Sequence, residues 1–250
     1  MLRLGFIPFS YYVIADCFDF HSHKSISAEV LFKQIRFTGL EALSLIFTIS
    51  FVLSVLIIAQ GYPILTSIGQ QALIYDILIV SIVRDGGPFI VCFIVLARSG
   101  TAITTELGNM VVAKEMDALN AMGISLISYL VVPRVLGMLF SVILLMSYFV
   151  LAGTLSSFLT VSLFNHMPLV RFISELLNQL TLVDLIIMFA KVVLCGLLVA
   201  LISCFHGLKV NKAITEVPQR NIKAVGQSLT IICIVHLVLS STLLLDLGVL

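Results

Sequence analysis

The sequence predicts an all-α, polytopic membrane protein with about five transmembrane helices plus an N-terminal interfacial amphipathic helix. Two observations carry that expectation. Hydrophobic residues make up 60% of the 250 positions and charged residues only 11%, with a mean hydropathy of +1.18, far from the balance of a water-soluble domain. The apolar residues also fall in runs long enough to cross a bilayer, which takes roughly 20 residues of helix. The net charge of +1 gives no field that would gather nucleic acid, and no dense basic run marks a lipid-surface switch.

Residues 1–37 read as an N-terminal interfacial segment and 38–250 as one membrane domain. Arg3 precedes the apolar GFIPFSYYVIA and Cys17 follows, the outline of a secretory signal. Asp16 is a poor residue before a lipoprotein cysteine, so an uncleaved start lying at the interface is expected. From Ile26 to Phe37, Ile26, Val30, Leu31 and Ile35 recur at helical spacing, with Glu29, Lys33 and Arg36 elsewhere around the helix, a pattern suited to the headgroup plane. Leu40 to Ala59 is the first span, headed by Glu41 and closed by Gln60, Gly61, Tyr62 and Pro63. Asp76 to Leu96 is the second, interrupted by Arg84, Asp85, Gly86, Gly87 and Pro88. Val135 to about Leu159, Leu182 to Phe205 and Val225 to about Leu245 complete the set, and Lys191 lies near the middle of the fourth.

Orientation follows from lysine and arginine in the short connections. Lys24, Lys33 and Arg36 precede the first span; Arg98, Lys114 and Arg134 lie between the second and third; Lys209, Lys212, Arg220 and Lys223 lie between the fourth and fifth. The other side carries Arg171 alone. The N-terminus is therefore expected in the cytoplasm and the C-terminus outside it. Cys17, Cys92, Cys195, Cys204 and Cys233 are odd in number and mostly within apolar runs, so neither a disulfide framework nor a metal site is expected. Gly137, Gly153, Gly196 and Ala200 suit close helix packing, and Met138, Met146 and Met188 read first as lipid-facing or core residues.

One polar stretch sits between two of these runs: ARSGTAITTELGNMVVAKEMDALNAMG, Ala97 to Gly123. Taken as a helix, it aligns Thr105, Asn109, Ala113, Asp117 and Asn120 on one face and Ile103, Leu107, Val111, Ala118 and Met122 on another. Pattern alone leaves two readings, a helix resting on the cytoplasmic membrane surface or one that docks a cytoplasmic partner.

No catalytic constellation is present in the sequence. His21 and His23 lie in the N-terminal segment, His166 in an outer connection, and His206 and His236 at or inside separate spans. There is no His-Glu-x-x-His and no Gly-rich loop ending in Gly-Lys-Ser/Thr, so any ATP would be bound by a partner subunit. Ionisable residues at membrane depth call for a partner or a wet cavity. Arg84 and Asp85 enter at a bend and read either as a local ion pair or as a cavity lining that meets a substrate headgroup. Lys191 reads either as a structural partner or as a substrate contact.

The run from Gly87 to Ile124, followed by YLVVPRVLG at Tyr129 to Gly137, resembles the MlaE/YrbE permease family. The resemblance rests on Ala97-Arg98-Ser99-Gly100, Thr105-Glu106-Leu107-Gly108, Glu115-x-Asp117-Ala118-Leu119 and Met122-Gly123, in the family's order and spacing. Weaker echoes occur at Gln60-Gly61-Tyr62, at Phe205-His206-Gly207-Leu208 and from Ala224 to Leu229. Two departures stand out. The family's Arg-Glu-Leu-Gly-Pro reads Arg84-Asp85-Gly86-Gly87-Pro88, which weakens a carry-over of the glutamate's role to Asp85. His236 stands where many members have an acid in the last span.

The resemblance implies a non-enzymatic permease subunit of an ABC transporter that moves phospholipid or a related lipid between envelope membranes. It would be a homodimer in the bacterial inner membrane, working with an ABC ATPase subunit and an MCE-domain protein. Arg98, Glu106, Lys114, Glu115 and Asp117 would form the ATPase-coupling surface. Gln60, Tyr62, Arg84 and Asp85 would supply the polar part of a lipid pocket between protomers. A different class, an ion-coupled secondary transporter using Arg84, Asp85 and Lys191, would call for an internal repeat, and none is found.

Overall fold

The computed structural model describes residues 5–18, 28–165, 168–211 and 213–246. Ile26, His21, His23, Lys24, His166 and Lys212 lie outside the described residues. Every described regular element is helical, and five helical stretches are long and apolar enough to cross a membrane: Gln34–Ser67, Leu73–Val112, Ile127–Leu163, Leu182–Leu208 and Glu216–Ser241. They contain the first four predicted runs and overlap the fifth from Val225 to Ser241. The protein is a multi-pass membrane protein.

Two helices precede the spans. Helix α1 (Phe6–Phe18) buries Val13 and sets the rings of Phe6 and Phe9 at 5.4 and 5.6 Å from that of Phe205. Ser128 donates to Asp16 across 2.6 Å, which pins α1 beneath the start of the third span. Burial, and to a lesser extent the neighbouring Asp16 charge, push the Cys17 thiol up to about 11. A thiol that stays protonated behaves as a small apolar group. Helix α2 (Ala28–Gly39) matches the amphipathic segment predicted at 26–37, and it runs through one tight turn at Leu40–Ala42 into α3 (Leu43–Ser67).

Small residues set the helix separations. Ser50 on α3 donates to the Phe149 carbonyl of α8 (Val132–Asn165) at 2.8 Å. A methyl on Gly153 of α8 would meet the hydroxyls of Ser50 and Ser54 at 2.9 and 3.2 Å. Backbones that approach so closely gain van der Waals contact that lipid tails do not provide. Met138, Met146 and Met188 are core residues, all buried. Phe47, Phe51, Leu144, Leu151, Ile186 and Leu237 are exposed, as side chains that face acyl chains should be.

The second span is made in pieces. Helix α4 (Leu73–Leu78) widens into a π-helical turn at Ile79–Arg84, breaks at Asp85 and resumes as α5 (Gly86–Val95). A second wide turn at Leu96–Gly100 leads into α6 (Thr101–Val112). Helix α7 (Glu115–Ala121), α9 (Leu169–Gln179), α10 (Leu182–Leu208) and α11 (Glu216–Asp246) complete the chain. At Gly87 an added methyl would stand 1.9 Å from the Ile82 carbonyl oxygen and 3.0 Å from Met146 Cε. Gly87→Ala is therefore expected to force the wide turn apart and to destabilise the protein by about 1–3 kcal/mol. The thermal unfolding midpoint in detergent checks it. Gly226→Ala, whose methyl meets nothing within 4 Å, is the control expected to cost nothing.

Candidate functional site

The break in the second span creates a site because of what proline lacks. Pro88 has no N–H, so the carbonyl four residues back, that of Arg84, loses its helical donor. Lys191 of α10 fills the gap: its Nζ donates to Arg84 O at 2.9 Å, to Ser240 Oγ of α11 at 2.9 Å, and to Asp85 Oδ1. An ammonium has three donors, and all three are used here. That accounts for a lysine with no exposed side-chain surface halfway along a span. The Ser240 hydroxyl donates in turn to Asp85 Oδ1.

Arg84 turns to the other side of the break. Its Nε donates to Asp184 Oδ1 at 2.8 Å and its terminal nitrogen lies 2.6 Å from the same oxygen. Asp184 is fully buried and sits in the first turn of α10, where Thr181 and Asp184 form a capping box. Its second oxygen accepts from the Thr181 N–H and hydroxyl at 3.1 and 2.7 Å. One carboxylate thus caps α10 and holds Arg84. The two cations and two carboxylates cancel, so a neutral cluster joins the second, fourth and fifth spans at the bend. Arg84 keeps 23% of its side chain exposed and Asp85 39%.

Gln60 and Tyr62 stand elsewhere. Gln60 is exposed and Tyr62 is buried near the C-terminal end of α3. The intervening Gly61 packs against Ile74, 3.0 Å from where its methyl would be. Ile74 lies ten residues before Arg84, about 15 Å of helix. Of the four residues predicted to bind substrate, Arg84 and Asp85 are brought together with Lys191, and the other two lie at a different depth.

The stretch from Ala97 to Gly123 is not one helix. Its first half continues the second span: α6 buries Ile103, Thr104, Leu107 and Gly108 against α10 and α11. Gly207 of α10 permits this, since a methyl there would meet Leu107 Cβ at 2.8 Å and Thr104 O at 3.0 Å. Lys114 then adopts a left-handed conformation with φ 60°, the one positive-φ non-glycine residue among those described, and the chain turns into α7. The turn changes which faces are covered. Met116 becomes the buried anchor of α7, whereas Ala118 and Met122, aligned with Ile103 and Leu107 in a straight helix, are exposed.

The five residues predicted to couple divide accordingly. Lys114, Glu115 and Asp117 are exposed at the turn and on α7. Arg98 is ion-paired with Glu41 at the head of the first span, and Glu106 takes the buried Arg134 at 2.8 Å. Arg134 also donates to Leu130 O at 2.8 Å. These two pairs tie the C-terminal half of the second span to its neighbours.

A family model described as Permease MlaE matches residues 31–242. The chain belongs to the MlaE permease family. A Rickettsia typhi protein named "Probable ABC transporter permease protein" is 24% identical over 214 residues, covering 86% of this chain and 83% of the relative. One of the same name from Synechocystis is 31% identical over 175 residues, 69% of this chain and 65% of that one. The "Intermembrane phospholipid transport system permease protein MlaE" of Haemophilus influenzae is 24% identical over 105 residues, 42% of this chain and 40% of its own length. In this MlaE-family permease, the Phe205-His206-Gly207-Leu208 echo marks where α6 packs on α10, and the Thr105-Glu106-Leu107-Gly108 motif supplies the opposing face.

Three members of the charge cluster went unassigned in the sequence: Thr181, Asp184 and Ser240. Thr181-x-x-Asp184 ahead of an apolar run is the readable signature of a capping box. Ser240 gives no such signal.

Proposed function

We propose that this chain is the permease subunit of an ABC transporter that moves phospholipid or a related lipid between envelope membranes, driven by ATP hydrolysed on a separate ATPase chain. In this reading it sits in the bacterial inner membrane as a homodimer, N-terminus in the cytoplasm and C-terminus in the periplasm, beside an MCE-domain protein. The names carried by its relatives support the transporter class, and the Haemophilus relative's name supports the lipid.

One structural observation supports the mechanism best. From the bend at Gly86 the chain runs helically to Val112, about 40 Å of helix, and ends at the exposed α7. A push on α7 is carried by α6 along that rod to the broken turn beside Arg84, Asp85 and Lys191. Closure of an ATPase dimer beneath the membrane is a suitable source. At the bend, the exposed part of the Arg84 guanidinium can hydrogen-bond a lipid phosphate while Asp184 holds the group in place.

The test is to purify the assembly in mild detergent and identify its subunits and retained lipid by mass spectrometry. A P-loop ATPase and an MCE-domain protein are expected to co-purify. Arg84→Ala is expected to lower retained phospholipid about tenfold, the effect of losing one charge-assisted contact, with dimer formation unchanged. Unaltered lipid retention removes Arg84 from the pocket. Uphill cargo movement by the chain alone under a proton or sodium gradient would replace this reading with ion coupling.

A further inference from the structure

The connection between the third and fourth spans is not a simple loop. Helix α9, LVRFISELLNQ, lies between the end of α8 at Asn165 and the capping box that starts α10. Its side chains sort into three sectors. Phe172 is 2% exposed, with its ring 5.7 Å from that of Tyr75 and 5.8 Å from that of Phe158, and Leu176 is half-buried beside it. Val170, Ile173 and Leu177 are 78%, 43% and 58% exposed. Arg171, Ser174 and Asn178 are exposed and polar. At 100° per residue the three sets are centred roughly 120° apart.

A helix lying flat in a membrane surface beside a protein has three neighbours of this kind: protein at its flank, hydrocarbon below and water above. The neighbouring ends of the flanking spans are apolar and exposed as well. Leu155, Leu159 and Leu163 line the adjoining turns of α8, and Leu182 and Ile186 those of α10, all strongly exposed. Both ends of α9 are tied to spans, so the helix is held within the reach of short connections from the bilayer surface.

We propose that α9 is an in-plane membrane helix whose Val170, Ile173 and Leu177 insert among the acyl chains of the leaflet on the side opposite α6 and α7. The occupant of that face is lipid. Phe172 clamps Tyr75 of α4, so the helix also fixes the depth of the outer part of the second span, the part beyond the bend at Asp85. The polar sector, with Arg171 and Asn178, faces water.

Nitroxide labels attached to single cysteines report the surroundings of each position. Cys17 and Cys233 are first replaced by serine, and the full chain, in the assembly in which it purifies, is placed in phosphatidylethanolamine–phosphatidylglycerol vesicles. Labels at 170, 173 and 177 are expected to collide preferentially with oxygen, which concentrates in the bilayer. Labels at 171, 174 and 178 are expected to favour a water-soluble nickel chelate, so the ratio inverts between the two sets. Nickel access at 170, 173 and 177 would place that face in water and overturn the proposal. Shielding of the same positions from both reagents would mean that a protein covers them, and would overturn it equally.

Discussion

Asp85→Ala is expected to destabilise the protein by about 3–5 kcal/mol, well beyond the effect of Lys191→Met, although both substitutions delete the same ion pair. The difference comes from where the surviving charge is left. The Lys191 side chain has no exposed surface, whereas that of Asp85 is 39% exposed. Without Asp85, an ammonium stays in the interior with only the Arg84 carbonyl and the Ser240 hydroxyl beside it. Without Lys191, the carboxylate can take up water, and methionine fills the vacated volume. What remains is the Arg84 carbonyl that Pro88 left without a helical donor, an unsatisfied buried group costing about 1–3 kcal/mol. The double variant Asp85→Ala/Lys191→Met should be more stable than Asp85→Ala alone, because it leaves no unpaired ammonium in the interior. Unfolding midpoints in detergent for the three variants decide it. Equal losses in the two single variants, or no recovery in the double, would show that the pair does not carry the asymmetry its burial implies.

That cluster also shows what a sequence can and cannot disclose. Hydropathy located the spans because bilayer thickness sets the length of every apolar run, and Gly86-Gly87-Pro88 beside two charges located the bend. Lys191 was conspicuous by its depth. Asp184 was not, since a carboxylate at the head of a span reads as an ordinary helix-end charge until the fold brings Arg84 to it. Ser240 is one hydroxyl in an apolar run, and only packing selects its neighbour. The break at Lys114 is hidden for another reason: neither glycine nor proline marks it, so the apolar stripe reads straight through from Ile103 to Met122. The left-handed lysine redirects the chain, and the stripe's second half ends up exposed. Helix α9 is a third kind of omission. Its period is plain in LVRFISELLNQ, but eleven residues cannot cross a bilayer, and a search for spans passes over it.

The largest functional effect is expected at α7. Reversing Glu115 and Asp117 together to lysine should reduce ATPase co-purification by about tenfold or more, since like-charge juxtaposition at an interface costs several kcal/mol and about 1.4 kcal/mol is tenfold in affinity. Membrane insertion and dimerisation should be unaffected. Both side chains are exposed, and the buried hold on α7 is Met116, which the change does not touch. The two acids also occupy the first turn of α7, where negative charge favours the helix itself by about 0.3–1 kcal/mol each. Glu115→Gln/Asp117→Asn separates the two contributions: it removes the favourable helix-end charges without introducing repulsion, and should lower co-purification far less than the reversal. If the neutral and reversed variants lose the ATPase equally, the acids act by holding α7 folded rather than by meeting the partner. If the reversed variant retains the ATPase at normal yield, α7 is not the docking element, and the proposed push on the 86–112 rod would have to be delivered elsewhere.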